Sequence, residues 1–553
     1  MRATPAGQQG KAAQAADREG APAPSRRSAG AAGTAGWVAA AGACAPVIAA
    51  CATMTFLGLW GLARGSAMGN DEVVSRYAAL LPIGQLAALV RRVDIVHALY
   101  YLFLHGWMAV GTSPAVMRVP SVIGMVAAVA LIVILARRLT GSAWAGLFCG
   151  LIMAAMPSVS YYAQTARSYA LVSACVLAET LALLSALQAE RASAASGRVT
   201  RQWLVYGALA TLAAYLNEMA LLVLPAHAIT VLLARYGRRT VQHWAVTSVM
   251  ACLLAAPVVA LSITQRGSAD WIGRPDWQQV DFLYQDYFGQ ATAAARLLVA
   301  CAVVALLPPG LWWRRRRDRS GAGGAGTPAK PASPWWGGIS LPSVAAPLLL
   351  IPAGLLLLES RTLPPLYQER YVQYGEAGAA LLAGAGAYRA GRWLAGALRR
   401  RELIVVPGLA VCLCTLLLQL RVQHDYRTPE SRAFNFGGPA FYVGAHAHRG
   451  DGVLFMSSFY RKAELGYPEQ FRKTTDFALA VPPLRAPYQG IDKPLPAVLP
   501  LMLARQRIWV IGAQPSPALP TPMRQESQLL LRDFTRVRTR GYRGMWLTLW
   551  VRR

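Results

Sequence analysis

Apolar stretches of some 16 to 25 residues recur from about residue 37 to residue 420, separated by short polar loops in which arginine dominates. A helix rises about 1.5 Å per residue and a bilayer core is about 30 Å thick, so roughly 20 mainly apolar residues make one span. The pattern predicts about eleven transmembrane helices, near 37–63, 119–136, 142–157, 168–188, 203–216, 218–234, 244–264, 296–313, 340–358, 371–389 and 403–420. A twelfth apolar stretch, 95–110, is decided by charge. If it does not cross, the N-terminal tail and the arginine clusters at 137–138, 191–201, 235–239, 314–319 and 389–401 all fall on the cytoplasmic side, as the positive-inside rule demands. If it crosses, every later cluster changes sides. The stretch 95–110 is therefore read as a juxtamembrane or re-entrant helix.

The alternate loops become extracytoplasmic and hold most of the acids: Asp71, Glu72, Asp94, Glu218, Asp270, Asp276, Asp281, Asp286, Glu359 and Glu369. After Leu420 the apolar runs shorten. Strand-like segments at 452–456, 507–511 and 546–551, with a helix-like run at 459–465, predict a small soluble α/β domain. The expected organisation is a disordered cytoplasmic tail (1–36), an all-α polytopic membrane domain (37–421) and an extracytoplasmic soluble domain (422–553) of a multi-pass plasma-membrane protein.

Composition supports this division. The 553 residues are 55% hydrophobic and 15% charged, with mean hydropathy +0.34, where a soluble domain is about 25% charged. The net charge of +29 raises the question of nucleic acid, but the basic residues sit between spans rather than along one face. The expected surface partner is the lipid bilayer, with no nucleic acid. All eight cysteines lie in apolar segments, without disulfide or metal-site spacing. The stretch 321–334, rich in Gly and Pro, reads as a disordered linker.

Chemistry is sought on the acid-bearing side. Asp71 and Glu72 form an adjacent pair just past the first span, on what reads as an extended loop, and suit a base that takes a proton from a hydroxyl. Asp94 reads as an N-cap of the juxtamembrane helix, with His97 one turn on, able to bond Asp94 or a substrate. Arg167, flanked by Tyr161, Tyr162 and Tyr169, lies at a membrane edge, where it is either an interfacial anchor or a holder of an anionic head group. Arg370, in Glu369-Arg370-Tyr371 before the tenth span, offers a planar fork of donors suited to phosphate, or is again an anchor. No nucleotide-binding glycine loop is present in the sequence.

The order of these motifs resembles the GT-C membrane glycosyltransferases, the protein-mannosyltransferase and aminoarabinose-transferase relatives. The acidic pair after the first span resembles their first motif. Asp94, His97, Leu99-Tyr100-Tyr101, His105 and Trp107 resemble their Asp-x-x-His-Pro-Pro-Leu-Tyr-Tyr segment, without its prolines. Arg118-Val119-Pro120-Ser121 resembles Arg-x-Pro-Ser, Arg167-Ser168-Tyr169 resembles Arg-Pro-Tyr with Ser for Pro, and Arg370-Tyr371 resembles the Arg-Tyr before a late span. The resemblance covers about 37–420. It implies inverting transfer of a hexose, most often mannose, from a polyprenyl-phosphate donor to a hydroxyl on a glycan, lipid or protein. Asp71 would be the base with Glu72 beside it, Arg370 and Arg167 would face the phosphate, and Asp94, His97 and Tyr169 would hold the sugar or acceptor. No cofactor is indicated, and a divalent cation stays an open question. The alternatives are a transporter or flippase of lipid-linked glycans, which needs ionisable groups at mid-membrane, and a structural membrane protein in which Asp71 does nothing.

Overall fold

In the computed structural model the described residues are 44–63, 67–192, 196–308, 338–485, 489–514, 518–519, 521 and 523–553. The expected tail (1–36), the start of the first span and the linker 321–334 lie outside them. Residues Pro46–Arg553 form one compact unit. The described part of each of the eleven expected spans falls on helical segments, from Cys44–Leu59 to Val406–Asp425, and the end of the eighth, 309–313, lies outside the described residues. Among the described residues, five helices are long and apolar enough to cross a membrane, or seven if two bent pairs each count as one span. The stretch 95–110 forms only a short 3-10 turn, Ile95–His97, and the ten-residue helix Ala98–Trp107, too short to span.

Two features of the membrane layer carry the site. First, helix Ala143–Ala155 stops before Pro157, which lacks an amide hydrogen and crowds the turn behind it. The chain turns by 69° into Pro157–Ala163, and the segment 164–168 that follows presents Arg167. Second, helix Glu376–Leu398 is threaded through its neighbours by glycines. A Cβ on Gly384 would lie 2.5 Å from the backbone nitrogen of Cys149, and one on Gly386 would lie 1.8 Å from the carbonyl oxygen of Cys301. Small residues let membrane helices approach backbone to backbone. That packing fixes the 3-10 turn Glu369–Gly375 that leads into the helix and carries Arg370.

The C-terminal part is an α/β domain. Its strands are β1 (Asp451–Phe455), β2 (Thr474–Asp476), β3 (Leu479–Val481), β4 (Ile491–Asp492), β5 (Arg507–Gly512), β6 (Phe534–Tyr542) and β7 (Met545–Arg552). Five form one sheet in the order β2-β1-β5-β7-β6, with β2, β1 and β5 parallel and β7 antiparallel to both neighbours. The three strands expected from sequence are β1, β5 and β7. The sheet does not stand apart from the loops before it. Met68, Val73, Tyr100, Tyr101 and Met117 share one hydrophobic core with Phe436, Val453, Tyr467 and Trp509. Helix Val406–Asp425 runs through the expected 421/422 boundary.

Candidate active site

The acidic pair lies on a helix, Asn70–Leu80, and not on an extended loop. Successive helical residues point about 100° apart, so the two carboxylates face different surroundings. Glu72 is 1% exposed and saturated. Its Oε1 accepts from Arg118 Nε (2.7 Å) and from the Ala166 amide (3.0 Å), and its Oε2 from Arg118 Nη2 (2.9 Å) and the Gly69 amide (3.0 Å), with Arg432 Nε 3.9 Å away. Burial alone would raise its pKa, but Arg118 and Arg432 outweigh burial and bring it down to about 2. A carboxylate with its lone pairs so occupied has no room for an acceptor proton. Glu72 ties together the 70–80 helix, the start of helix Pro114–Thr140 and the 164–168 segment.

Glu72→Gln removes the charge and leaves Arg118 buried and half-paired. Breaking one side of a buried pair costs about 3–5 kcal/mol, to be read as a lower thermal midpoint in detergent. The linkage has a definite sign. A folded pKa near 2, below the ordinary 4.5, contributes stability that is complete above about pH 4.5 and disappears as pH falls towards 2. The wild-type midpoint should fall through that window more steeply than that of Glu72→Gln.

Asp71 is the open member of the pair. Its side chain is 25% exposed, and its Oδ2 lies 3.6 Å from Arg370 Nε, whose own side chain is 23% exposed. The only side-chain hydrogen bond to the carboxylate among the described residues is a long one, 3.4 Å from Asn70 Nδ2. Burial would raise the Asp71 carboxyl, but Arg370 and Arg167 together hold it below its usual range, so it is ionised at neutral pH. Among the described residues Arg370 Nε has no hydrogen-bond partner, and its guanidinium lies 5.8 Å from the ring centre of Trp271 and 5.5 Å from that of Tyr371. The fork is flanked by aromatic rings.

A second cluster adjoins the first. Asp94 sits in left-handed backbone geometry (φ 64°) and makes no side-chain cap, correcting the expectation of an N-cap. Its carboxylate instead accepts from Tyr101 Oη and from Arg167 Nη2 at 3.3 Å, and lies 2.7 Å from His97 Nδ1. Burial would raise Asp94, but His97 and Arg167 drive it far below the usual carboxylate range. Burial, aided by Arg167, lowers His97 below an ordinary imidazole, so the ring is neutral. With Asp94 ionised, the shared proton belongs on Nδ1, and Nε2 is left as a buried acceptor with no partner among the described residues. Arg167 also donates to Tyr101 Oη and, at 3.4 Å, to Ser75, while its Nε has no hydrogen-bond partner among the described residues. The Tyr169 ring lies edge-on to His97, with centres 6.3 Å apart. Asp71, Asp94, His97, Arg167, Tyr169 and Arg370 thus belong to one neighbourhood, coupled through charge. Among the described residues no group of three or more His, Cys, Asp or Glu is arranged to hold a metal ion.

Sequence reasoning missed three contributors. Tyr101 was visible only as part of a motif. Arg118, visible only within Arg118-Val119-Pro120-Ser121, locks Glu72. Lys462, from the C-terminal domain, donates to Asn70 Oδ1 beside Asp71. It is one of only five lysines in the chain, a rarity that could have drawn attention to it.

With its multi-pass helical layer, an acidic helix after the first span and a sheet domain packed over both, the chain has the GT-C fold. Residues 97–262 match the family model described as dolichyl-phosphate-mannose-protein mannosyltransferase, a segment that contains His97, Arg167 and Tyr169 and ends before Arg370. Among solved structures the chain is similar to ArnT from Cupriavidus metallidurans in the apo state, at 13% identity and TM-score 0.55, covering 94% of this chain and 98% of that one. It is likewise similar to ArnT from the same organism bound to undecaprenyl phosphate, at 13% identity and TM-score 0.53, covering 92% and 98%. No curated protein matches in sequence.

Proposed function

We propose that the protein is an inverting glycosyltransferase that moves a hexose, with mannose the leading candidate, from a polyprenyl-phosphate carrier to a hydroxyl acceptor on the extracytoplasmic face. The observation that carries the reading is the Asp71–Arg370 pair: an ionised carboxylate 3.6 Å from an arginine Nε that, among the described residues, makes this ion pair but no hydrogen bond. One group can take a proton and the other can take a phosphate. The undecaprenyl phosphate in the second ArnT structure and the mannosyltransferase description of the matched family model agree with a lipid-phosphate donor. The positive-inside pattern supports the extracytoplasmic placement.

In the step proposed, the acceptor oxygen attacks the anomeric carbon as the bond from that carbon to the phosphate oxygen breaks. The bonding pair leaves with the phosphate, towards Arg370 and Arg167, and the acceptor proton goes to Asp71. Before the donor binds, the two arginines hold the Asp71 pKa down and make it a weak base. A bound phosphate draws on the same arginines and lets that pKa rise, so basicity appears only when the donor is in place. His97 Nε2 and Asp94 orient sugar hydroxyls.

Transport of lipid-linked glycans has one observation in its favour, the fully buried Glu179 within 3.5 Å of His227. Mass spectrometry of envelope glycans from cells with and without the protein separates the readings. Loss of one hexose from a glycan, lipid or protein supports transfer. Cytoplasmic accumulation of an intact lipid-linked glycan would replace it with transport.

A further inference from the structure

The C-terminal domain reaches into the reaction centre. Helix Lys462–Gly466 packs against Asn70–Leu80 so closely that a Cβ on Gly466 would lie 2.9 Å from Val73 Cγ2. Arg76 Nη1 donates to the Gly466 carbonyl at 2.8 Å, and the Met68 amide donates to Tyr467 Oη at 3.2 Å. Arg432 donates to the Gln164 carbonyl (2.8 Å) and to Thr165 Oγ1 (2.9 Å), bracing the segment that carries Arg167. The docking places Lys462, 5% exposed, with its ammonium donating to Asn70, next in sequence to Asp71, and lying 4.3 Å from the centre of the Phe459 ring.

We infer that Lys462 is a donor-phosphate ligand: the C-terminal domain supplies the cation that completes the anion site of Arg167 and Arg370. This rests on the proposed transfer reaction. The charge of the four groups nearest the reaction favours it. With His97 neutral, the carboxylates of Asp71 and Asp94 cancel the guanidiniums of Arg167 and Arg370. A phosphodiester donor then adds one uncompensated negative charge. During transfer Asp71 is neutralised by the acceptor proton while the departing phosphate gains a second negative charge, so the excess persists to the product. Lys462 supplies the missing positive charge at both stages. Its geometry fits the role, because a buried ammonium with one neutral oxygen partner and an aromatic face has donors to spare.

The groups around it make the charge conditional. From the 70–80 helix it faces Asn70 and Asp71, with Arg76 held by the Gly466 carbonyl and by Glu469 at 3.4 Å. From the 164–168 segment Arg167 acts on it. Arg461, just before the helix, is engaged by Asp476 and Asp492, and desolvation raises the half-buried Glu464 to about 7. Burial brings Lys462 down to about 8, with Asp71 opposing and Arg167 assisting. A phosphate bound beside it favours the charged form, so its binding takes up a proton above about pH 8.

The test uses the full-length protein in nanodiscs, titrated with undecaprenyl phosphate between about pH 7 and 9. Wild type should weaken about tenfold across that range, as one linked proton requires. Lys462→Arg, charged throughout, should bind at pH 7 and lose the alkaline weakening. Lys462→Met should bind about 10- to 100-fold more weakly at pH 7, the worth of a hydrogen bond to a charged group, with no weakening of its own. Should Lys462→Met fail to fold, Lys462→Arg alone decides. Retention of the alkaline limb in either variant, or wild-type affinity in Lys462→Met, overturns the assignment and leaves the transfer reading standing. A wild type that binds no undecaprenyl phosphate overturns both.

Discussion

Asp71→Asn should lower transfer from a polyprenyl-phosphate sugar by 10² to 10⁴-fold, the usual contribution of a general base, while donor binding persists. The substitution is nearly isosteric. Asp71 makes one long side-chain hydrogen bond and one ion pair at 3.6 Å, so little packing depends on its charge. The amide cannot receive the acceptor proton. Single-turnover transfer in proteoliposomes, with donor binding followed separately, reads the two quantities apart. Glu72→Gln gives the complementary pattern, a protein destabilised by loss of the Arg118 pair but, once folded, with chemistry less affected than in Asp71→Asn. A catalytic loss in Glu72→Gln at full stability, with Asp71→Asn unaffected, would move the base to Glu72.

Arg370→Ala should cost about 10² to 10³-fold in turnover, the scale for removing one preorganised donor from a site where negative charge develops. Arg370→Lys should fall between alanine and wild type. It keeps a charge but loses the planar fork and the support of Trp271 and Tyr371. Because Arg370 also depresses Asp71, its removal should raise the pKa of Asp71 and move the acid limb of the rate profile to higher pH. Wild-type turnover in both variants would make Arg370 an interfacial anchor.

Asp71 and Arg370, 299 positions apart, come together because the glycine-lined helix Glu376–Leu398 fixes the turn before it. The membrane layer was legible because each span must bury its own backbone hydrogen bonds, which forces long apolar runs. Strands β1, β5 and β7 were legible for a similar reason, each being largely buried. Strand β6 was not, since from Thr535 to Gly541 its residues are exposed and Arg stands at every second position, with Val537 the one aliphatic side chain between them.

The site was legible as a set of residue types on one side, but their division of labour was not. Reading Asp71 and Glu72 as an extended loop left open which faced the substrate. The helix turns Asp71 to Arg370 and Glu72 to Arg118. Asp94 illustrates a second limit. Its position before a helix suggested a cap, yet its left-handed backbone and the reach of Arg167 from 73 residues away turn its side chain inward. Lys462, 392 positions from Asn70, is invisible to any local pattern.

The most direct test of transfer is a single reconstitution. Purified protein in proteoliposomes receives a polyprenyl-phosphate hexose and a hydroxyl acceptor, and the products are resolved by mass and by the anomeric coupling of the new glycoside. The account predicts polyprenyl phosphate and glycoside in equal amounts, with the anomeric configuration opposite to that of the donor, and loss of both products in Asp71→Asn. Retained configuration, or intact donor carried across the bilayer with no glycoside formed, would contradict it.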